Sequence, residues 1–222
     1  MRGILLVTVL VPLTATTLAA QGGSPLQQRL DRQTFEAVRA IMDSARAYSV
    51  PTGPLADKAL EGAAKHVPAA RILAAVRQLR NELADARGLL RAGAPGAPLG
   101  TEEIVAAADA QRRGVPAADV TQLRHDVPTA TSLVVPLTVL GDLIQRGVPA
   151  DQARGVIEQL VTAGVSAQQI ADVPSRMDVG LKVGAPPLDA LRSASPIPLH
   201  PLPPTRPGAT PPVPNRGPGH SL

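Results

Sequence analysis

One short phrase recurs along this chain, and it limits what the chain can fold into more than any other feature. "RRGVPAADV" at 112–120 returns as "QRGVPADQA" at 145–153, with weaker echoes in "KHVPAARI" at 65–72 and "AGVSAQQI" at 163–170. Six junctions share the pattern: Val50-Pro51, Val67-Pro68, Val115-Pro116, Val148-Pro149, Val165-Ser166 and Ala185-Pro186. Each precedes a stretch of good helix formers. Gly114, Gly147, Gly164 and Gly184 stand just before four of them, where a left-handed residue closes the previous helix. His66 fills the same slot before Val67.

The clearest copy is "GVSAQQI". Ser166 is a good N-cap, and Gln169 three residues later completes a capping box. Val165 and Ile170 then hold the two positions of a hydrophobic staple. The same spacing pairs Val50 with Leu55, Val67 with Ile72, Val115 with Val120, Val148 with Ala153 and Ala185 with Ala190. In the other copies Pro replaces Ser. It has no N–H to leave unpaired, and its φ already suits a helix start. Each phrase therefore reads as stop, turn, start. An anion site at these helix ends would need donors that Val and Pro do not supply.

The segments between the phrases carry helical spacing. A first helix is expected within 24–49, starting near Asp31, with Phe35, Val38, Ile41 and Met42 on one face. Further helices are expected at about 54–65 and 69–91. The latter carries an a/d seam of Ile72, Val76, Leu79, Leu83, Ala86 and Leu90. The seam suits the central helix of a bundle, and a homodimer through 72–90 is the alternative. "AGAPGAPLG" (92–100) reads as a loop. Thr101 is expected to cap a fourth helix, with Glu102 and Glu103 in its first turn. Short helices follow Pro116, Pro149, Ser166, Pro174 and Pro186, and "TSLVVPLTVLGDLIQRG" supplies an apolar one with Pro136 near its start. No segment alternates as a strand. Units this small cannot bury their faces alone. The expected fold is all-α: an irregular bundle, or a short solenoid-like array of short helices, over residues 24–194.

Two terminal segments differ in kind. "MRGILLVTVLVPLTATTLAAQGG" has the charged, apolar and small-residue regions of a signal peptide over 1–20, with cleavage after Ala19 or Ala20. If uncleaved, it would be the chain's contact with a membrane. Either way an extracytoplasmic location is expected, periplasmic or secreted. From Ser195 to Leu222, ten of 28 residues are Pro and none is acidic. This tail is expected to be disordered and polyproline-prone, and its PxxP spacings suit a partner in the cell envelope.

Composition narrows the chemistry. The chain has no Cys and no Trp, and Phe35 and Tyr48 are its only aromatics. Thiol chemistry is excluded, and so is an aromatic platform for stacking bases. The pI near 10.3 owes much to the termini, since 24–194 holds 19 basic and 18 acidic residues. Nucleic acid is therefore not an expected partner. His66 and His125 are the only histidines of the helical region, and neither has a helical ligand partner four residues away. His125-Asp126 reads as a solvated pair, and adjacent Glu102 and Glu103 point apart. No catalytic, phosphate-cradling or calcium-binding motif is present. No catalytic, cofactor-binding or metal residues are assigned, and no cofactor is expected.

The stretches "PLADKALEGAAKHVPAARILAAVRQL" and "VPLTVLGDLIQRGVPADQA" resemble small exported bacterial helical proteins of unknown function, over about residues 50–190. The resemblance implies export and an all-helical fold, and no activity. The expected role is a non-catalytic scaffold or protein-interaction module of the envelope. A carrier of an apolar ligand in a helical groove is the alternative, followed by an enzyme of unrecognised type.

Overall fold

The structure, a computed structural model, describes residues 24–128 and 130–200. The expected signal peptide at 1–20 and most of the expected tail lie outside these residues. Eleven helices and no strand occur among the described residues: α1 (Pro25–Arg29), α2 (Arg32–Ala47), α3 (Gly53–Ala64), α4 (Ala69–Gly93), α5 (Thr101–Arg112), α6 (Ala117–Asp126), α7 (Val134–Gln145), α8 (Ala150–Thr162), α9 (Ala167–Ala171), α10 (Val173–Lys182) and α11 (Pro187–Ala194).

All six junctions use one closing device. The residue before each Val or Ala is left-handed: Ser49 (φ 55°), His66 (52°), Gly114 (98°), Gly147 (86°), Gly164 (72°) and Gly184 (86°). The next N–H then reaches back five residues, at 2.9–3.1 Å. Val50 bonds the Ala45 carbonyl, Val67 Gly62, Val115 Ala110, Val148 Leu143, Val165 Leu160 and Ala185 Gly180. This is the Schellman motif, which satisfies carbonyls that a helix end would otherwise leave open. The following residue starts the next helix. Pro68, Pro116, Pro149 and Pro186 are N-caps with extended ψ, and so is Ser166, whose capping box with Gln169 is complete. After Val50-Pro51 the helix starts one residue later than at the other junctions, and Thr52 becomes the N-cap. The staple partners Leu55, Ile72, Val120, Ala153, Ile170 and Ala190 are all buried.

His66 and Ser49 hold a conformation that costs a residue with a Cβ about 1–2 kcal/mol. His66→Gly relieves it, and the added chain freedom returns part of the gain. The expected result is a small rise in denaturant midpoint, about 1 kcal/mol. A fall would mean that the imidazole contributes contacts of its own.

The arginines of the two most similar phrases do more than punctuate. Arg113 bonds Asp142 on α7 at 2.6 Å, and Arg146 bonds Asp178 on α10 through two contacts, at 2.8 and 3.2 Å. Each turn is thereby latched to a helix about one unit further along.

Two helices organise the core. α4 packs against α2, α3, α5 and α6, and α7 packs against α5, α8, α9 and α10. The α4 seam is filled by helices of the same chain: Val76, Leu83, Ala86 and Leu90 are wholly buried, and Leu79 is half-buried. α5 presents Ala106, Ala107, Ala108 and Ala110 to the interior. Their small side chains let α7 approach so closely that a Cβ on Gly141 would lie 3.0 Å from Arg113 Cδ. A core with no Trp and little other aromatic volume is built this way, from close helices rather than large side chains.

Three expectations are adjusted. The first helical segment is split at Leu30, with Asp31 capping α2 through the Thr34 N–H at 2.9 Å. Gly100, not Thr101, is the N-cap of α5. The packed region also continues past Ala194. Residues 195–200 leave the helix through a bend at Pro196 and Ile197, Ile197 and Leu199 lie half-buried against the core, and the His200 N–H bonds Gln159 Oε1 on α8 at 2.7 Å. The Pro-rich composition concealed those two apolar anchors.

Candidate functional site: the Arg154 cluster and its cleft

A linked group of titratable side chains joins α6 to α8. Asp119, Gln122 and Asp126 share a face of α6 at spacings of three and four, and Arg154 and Glu158 are one turn apart on α8. Arg154, 14% exposed, stands between the helices. Its Nε donates to Asp119 Oδ1 at 3.1 Å, and its Nη1 faces Asp126 Oδ2 at 3.8 Å. The same nitrogen donates to Glu158. Asp126 also accepts from Gln122 Nε2, and His125 Nδ1 lies 2.9 Å from it.

Three carboxylates thus surround one guanidinium, and two of them, Glu158 and Asp126, diverge in their affinity for a proton. Burial pushes Glu158 above the ordinary glutamate range, Arg154 opposes the rise, and neighbouring Asp126 adds to it. Burial acts on Asp126 in the same direction, but hydrogen bonds with His125, Gln122 and Glu158 outweigh it and hold Asp126 below its ordinary value. Of the two, Glu158 therefore takes up a proton first as pH falls.

The sign of the pH effect follows. Between the ordinary glutamate value and the raised one, the folded chain binds more protons at Glu158 than the unfolded chain does. Stability from this group is full below that window and is lost as pH rises through it. Asp126 acts in the opposite sense, and its contribution is lost as pH falls through the acid range. Carboxyl NMR should place the Glu158 midpoint above the ordinary range, and Glu158→Gln should flatten melting temperature across that window. A midpoint at or below the ordinary range would contradict the assignment.

A cleft of about 490 Å³ opens beside this cluster. Arg154, Glu158, Gln159 and Thr162 form one wall, and Ile197 and His200 form the other. The cluster already uses its charges internally, with Arg154 at the centre where a metal would sit. Among the described residues no group of three His, Asp or Glu has a metal-holding arrangement. The geometry suits a clamp between α6 and α8 beside a seat for the chain that leaves α11.

The histidines and acids singled out in the sequence are placed separately. His66 closes α3 with its backbone, and the His125 side chain is 71% exposed beside Asp126. Glu103 turns inward to accept the Leu133 N–H at 3.0 Å, while Glu102 is exposed. Sequence reasoning missed Arg154, although its i,i+4 relation to Glu158 was visible. Asp119 lies 35 residues away, and no local pattern joins it to Arg154.

A second buried charge lies between α6, α5 and the start of α7. The Arg124 side chain is 1% exposed, and none of its three guanidinium nitrogens has a hydrogen-bond partner. Its nearest carboxylate is Glu103, at 3.9 Å. No helix among the described residues is long and apolar enough to cross a membrane.

Comparison with known protein families, characterised proteins and solved structures finds no match for this chain.

Proposed function

We propose that this chain is a non-catalytic, exported helical module of the cell envelope that mounts its Pro-rich C-terminal segment for a protein partner. The observation that carries this reading is the docking of residues 195–200. Ile197 and Leu199 pack on the helical body, and Gln159 holds the His200 backbone. The chain beyond His200 therefore departs from a defined point on a latched scaffold. Of its 22 residues eight are Pro and none is acidic. Extended at about 3.1 Å per residue, it would reach on the order of 70 Å. The leader at 1–20 supports export, and the ion-paired Arg154 cluster supports a structural use of its charges.

The test is crosslinking in the intact envelope followed by mass spectrometry, comparing the full chain with one ending at His200. Stopping at His200 rather than Ala194 keeps the packed segment. A partner captured by the full chain and lost on truncation is the expected result. Capture of no specific partner by either chain would contradict the reading.

A further inference from the structure

We infer that the side of α4 that flanks its buried seam is a docking surface for an acidic amphipathic helix of a partner protein. This rests on the reading of the chain as an interaction module and names a second surface for it. A line on that side runs one residue after the buried seam: Leu73, Arg77, Arg80, Ala84, Arg87 and Arg91, spaced 4, 3, 4, 3 and 4. At 100° per residue these positions fall within one narrow face, and at 1.5 Å per residue the four arginines span about 21 Å.

The four guanidinium groups are uncompensated. Arg77 and Arg91 are exposed, and Arg80 and Arg87 are half-exposed. The Arg80 Nη1 donates to Asn81 Oδ1 at 3.1 Å, and among the described residues none of the four pairs with a carboxylate. Elsewhere among the described residues most arginines are paired, with Arg29, Arg71 and Arg176 as exceptions. Arg32, Arg39, Arg46, Arg112, Arg113, Arg146, Arg154 and Arg192 each lie within 4.0 Å of an Asp or Glu. The body is nearly neutral in sum, yet this ridge is left positive.

The shape beside it selects the partner class. A groove of about 530 Å³ separates α2 from α4, with Ala37, Ala40 and Ile41 on one side and Arg77 and Arg80 on the other. A concave strip of Ala37, Ala40 and Ile41, with Ser44 and Asn81 in its lining and Arg77 and Arg80 along one edge, fits a convex rod with one apolar and one acidic face. Arginine forks match carboxylates bidentately, so glutamates repeating every three or four residues would meet the same spacing. A flat bilayer fits the groove poorly, and the exposed large apolar residues Tyr48, Val179 and Val183 all lie off α4. Nucleic acid would find no aromatic face there.

The probe is a synthetic amphipathic peptide of about 16 residues, with leucines on one line and glutamates on the next. Its binding to the full chain is read by fluorescence anisotropy, against the same peptide with lysines for glutamates. The expected result is salt-sensitive binding of the glutamate peptide alone, weakened about tenfold in Arg77→Gln/Arg80→Gln/Arg87→Gln/Arg91→Gln, as four exposed charge pairs together would supply. Arg29→Gln/Arg71→Gln should leave binding unchanged, and circular dichroism melts check that both variants fold. Equal binding by the fourfold variant, or no binding of the peptide, overturns the proposal. Arginine-dependent binding of phosphatidylglycerol vesicles or inorganic polyphosphate in place of the peptide overturns it too, by assigning the ridge to another ligand. Failure here is separable from failure of the module reading. Envelope crosslinking that captures a tail-dependent partner while the peptide shows no arginine-dependent binding would keep the module and remove the ridge.

Discussion

Replacing Arg124 with Met raises the stability of the fold, by about 1–3 kcal/mol, the cost of burying unsatisfied donors, because Glu103 keeps the Leu133 N–H and some exposure without it. The substitution keeps an unbranched side chain in the same space and removes a buried charge. Taking a guanidinium out of water costs several kcal/mol, and that cost is offset only by close pairing and satisfied donors. Arg124 has neither. Its side chain is 1% exposed, its nitrogens make no hydrogen bond, and Glu103 stands 3.9 Å away while serving the Leu133 N–H. Removing the other partner acts in the opposite direction. Glu103→Gln leaves the cation uncompensated and should cost about 3–5 kcal/mol. Urea unfolding of both variants reads the two signs. Destabilisation by Arg124→Met would show that the guanidinium makes stabilising bonds in solution.

Leu140→Ala should destabilise by about 2–5 kcal/mol, the range for emptying a rigid, fully packed site. Leu140 is wholly buried at the middle of α7, with Leu137 and Leu143 equally enclosed on either side. α7 touches helices from both halves of the chain, so a cavity there weakens several contacts together. Gly141 next to it fixes the α5–α7 approach and limits collapse around the void. Leu181→Ala, at a partly buried site on α10, is the control and should cost distinctly less. Similar losses at both sites would mean that α7 is not the pivot of the core.

The parts legible in the sequence are the local ones. A left-handed residue, an N-cap and a staple lie within seven residues of one another, so the six junctions could be read before any fold was known. The seam of α4 was legible for the same reason, because a helix repeats its face every three or four residues. His66 could be placed by its position among sister phrases. The ion pairs that join the units could not. Arg113 meets Asp142 across 29 residues, Arg146 meets Asp178 across 32, and Arg154 meets Asp119 across 35. Such partners are chosen by helix packing, which the repeat does not encode. Arg124 was hidden differently. In the sequence it is one more polar residue near a helix end, and the packing of α6 on α4, with Glu103 of α5 facing its guanidinium, encloses it. A Cβ on Gly93 would clash with the Thr121 carbonyl oxygen and lie 2.8 Å from Arg124 Cβ.

The central claim is that the repeated phrase is a turn device that sets the fold. The most direct measurement is backbone NMR of the full chain, reading φ and amide exchange at the six junctions. Positive φ is predicted at Ser49, His66, Gly114, Gly147, Gly164 and Gly184, with slow exchange at the amides of Val50, Val67, Val115, Val148, Val165 and Ala185. Helical φ at those six residues, or fast exchange at the amides that follow them, would contradict it.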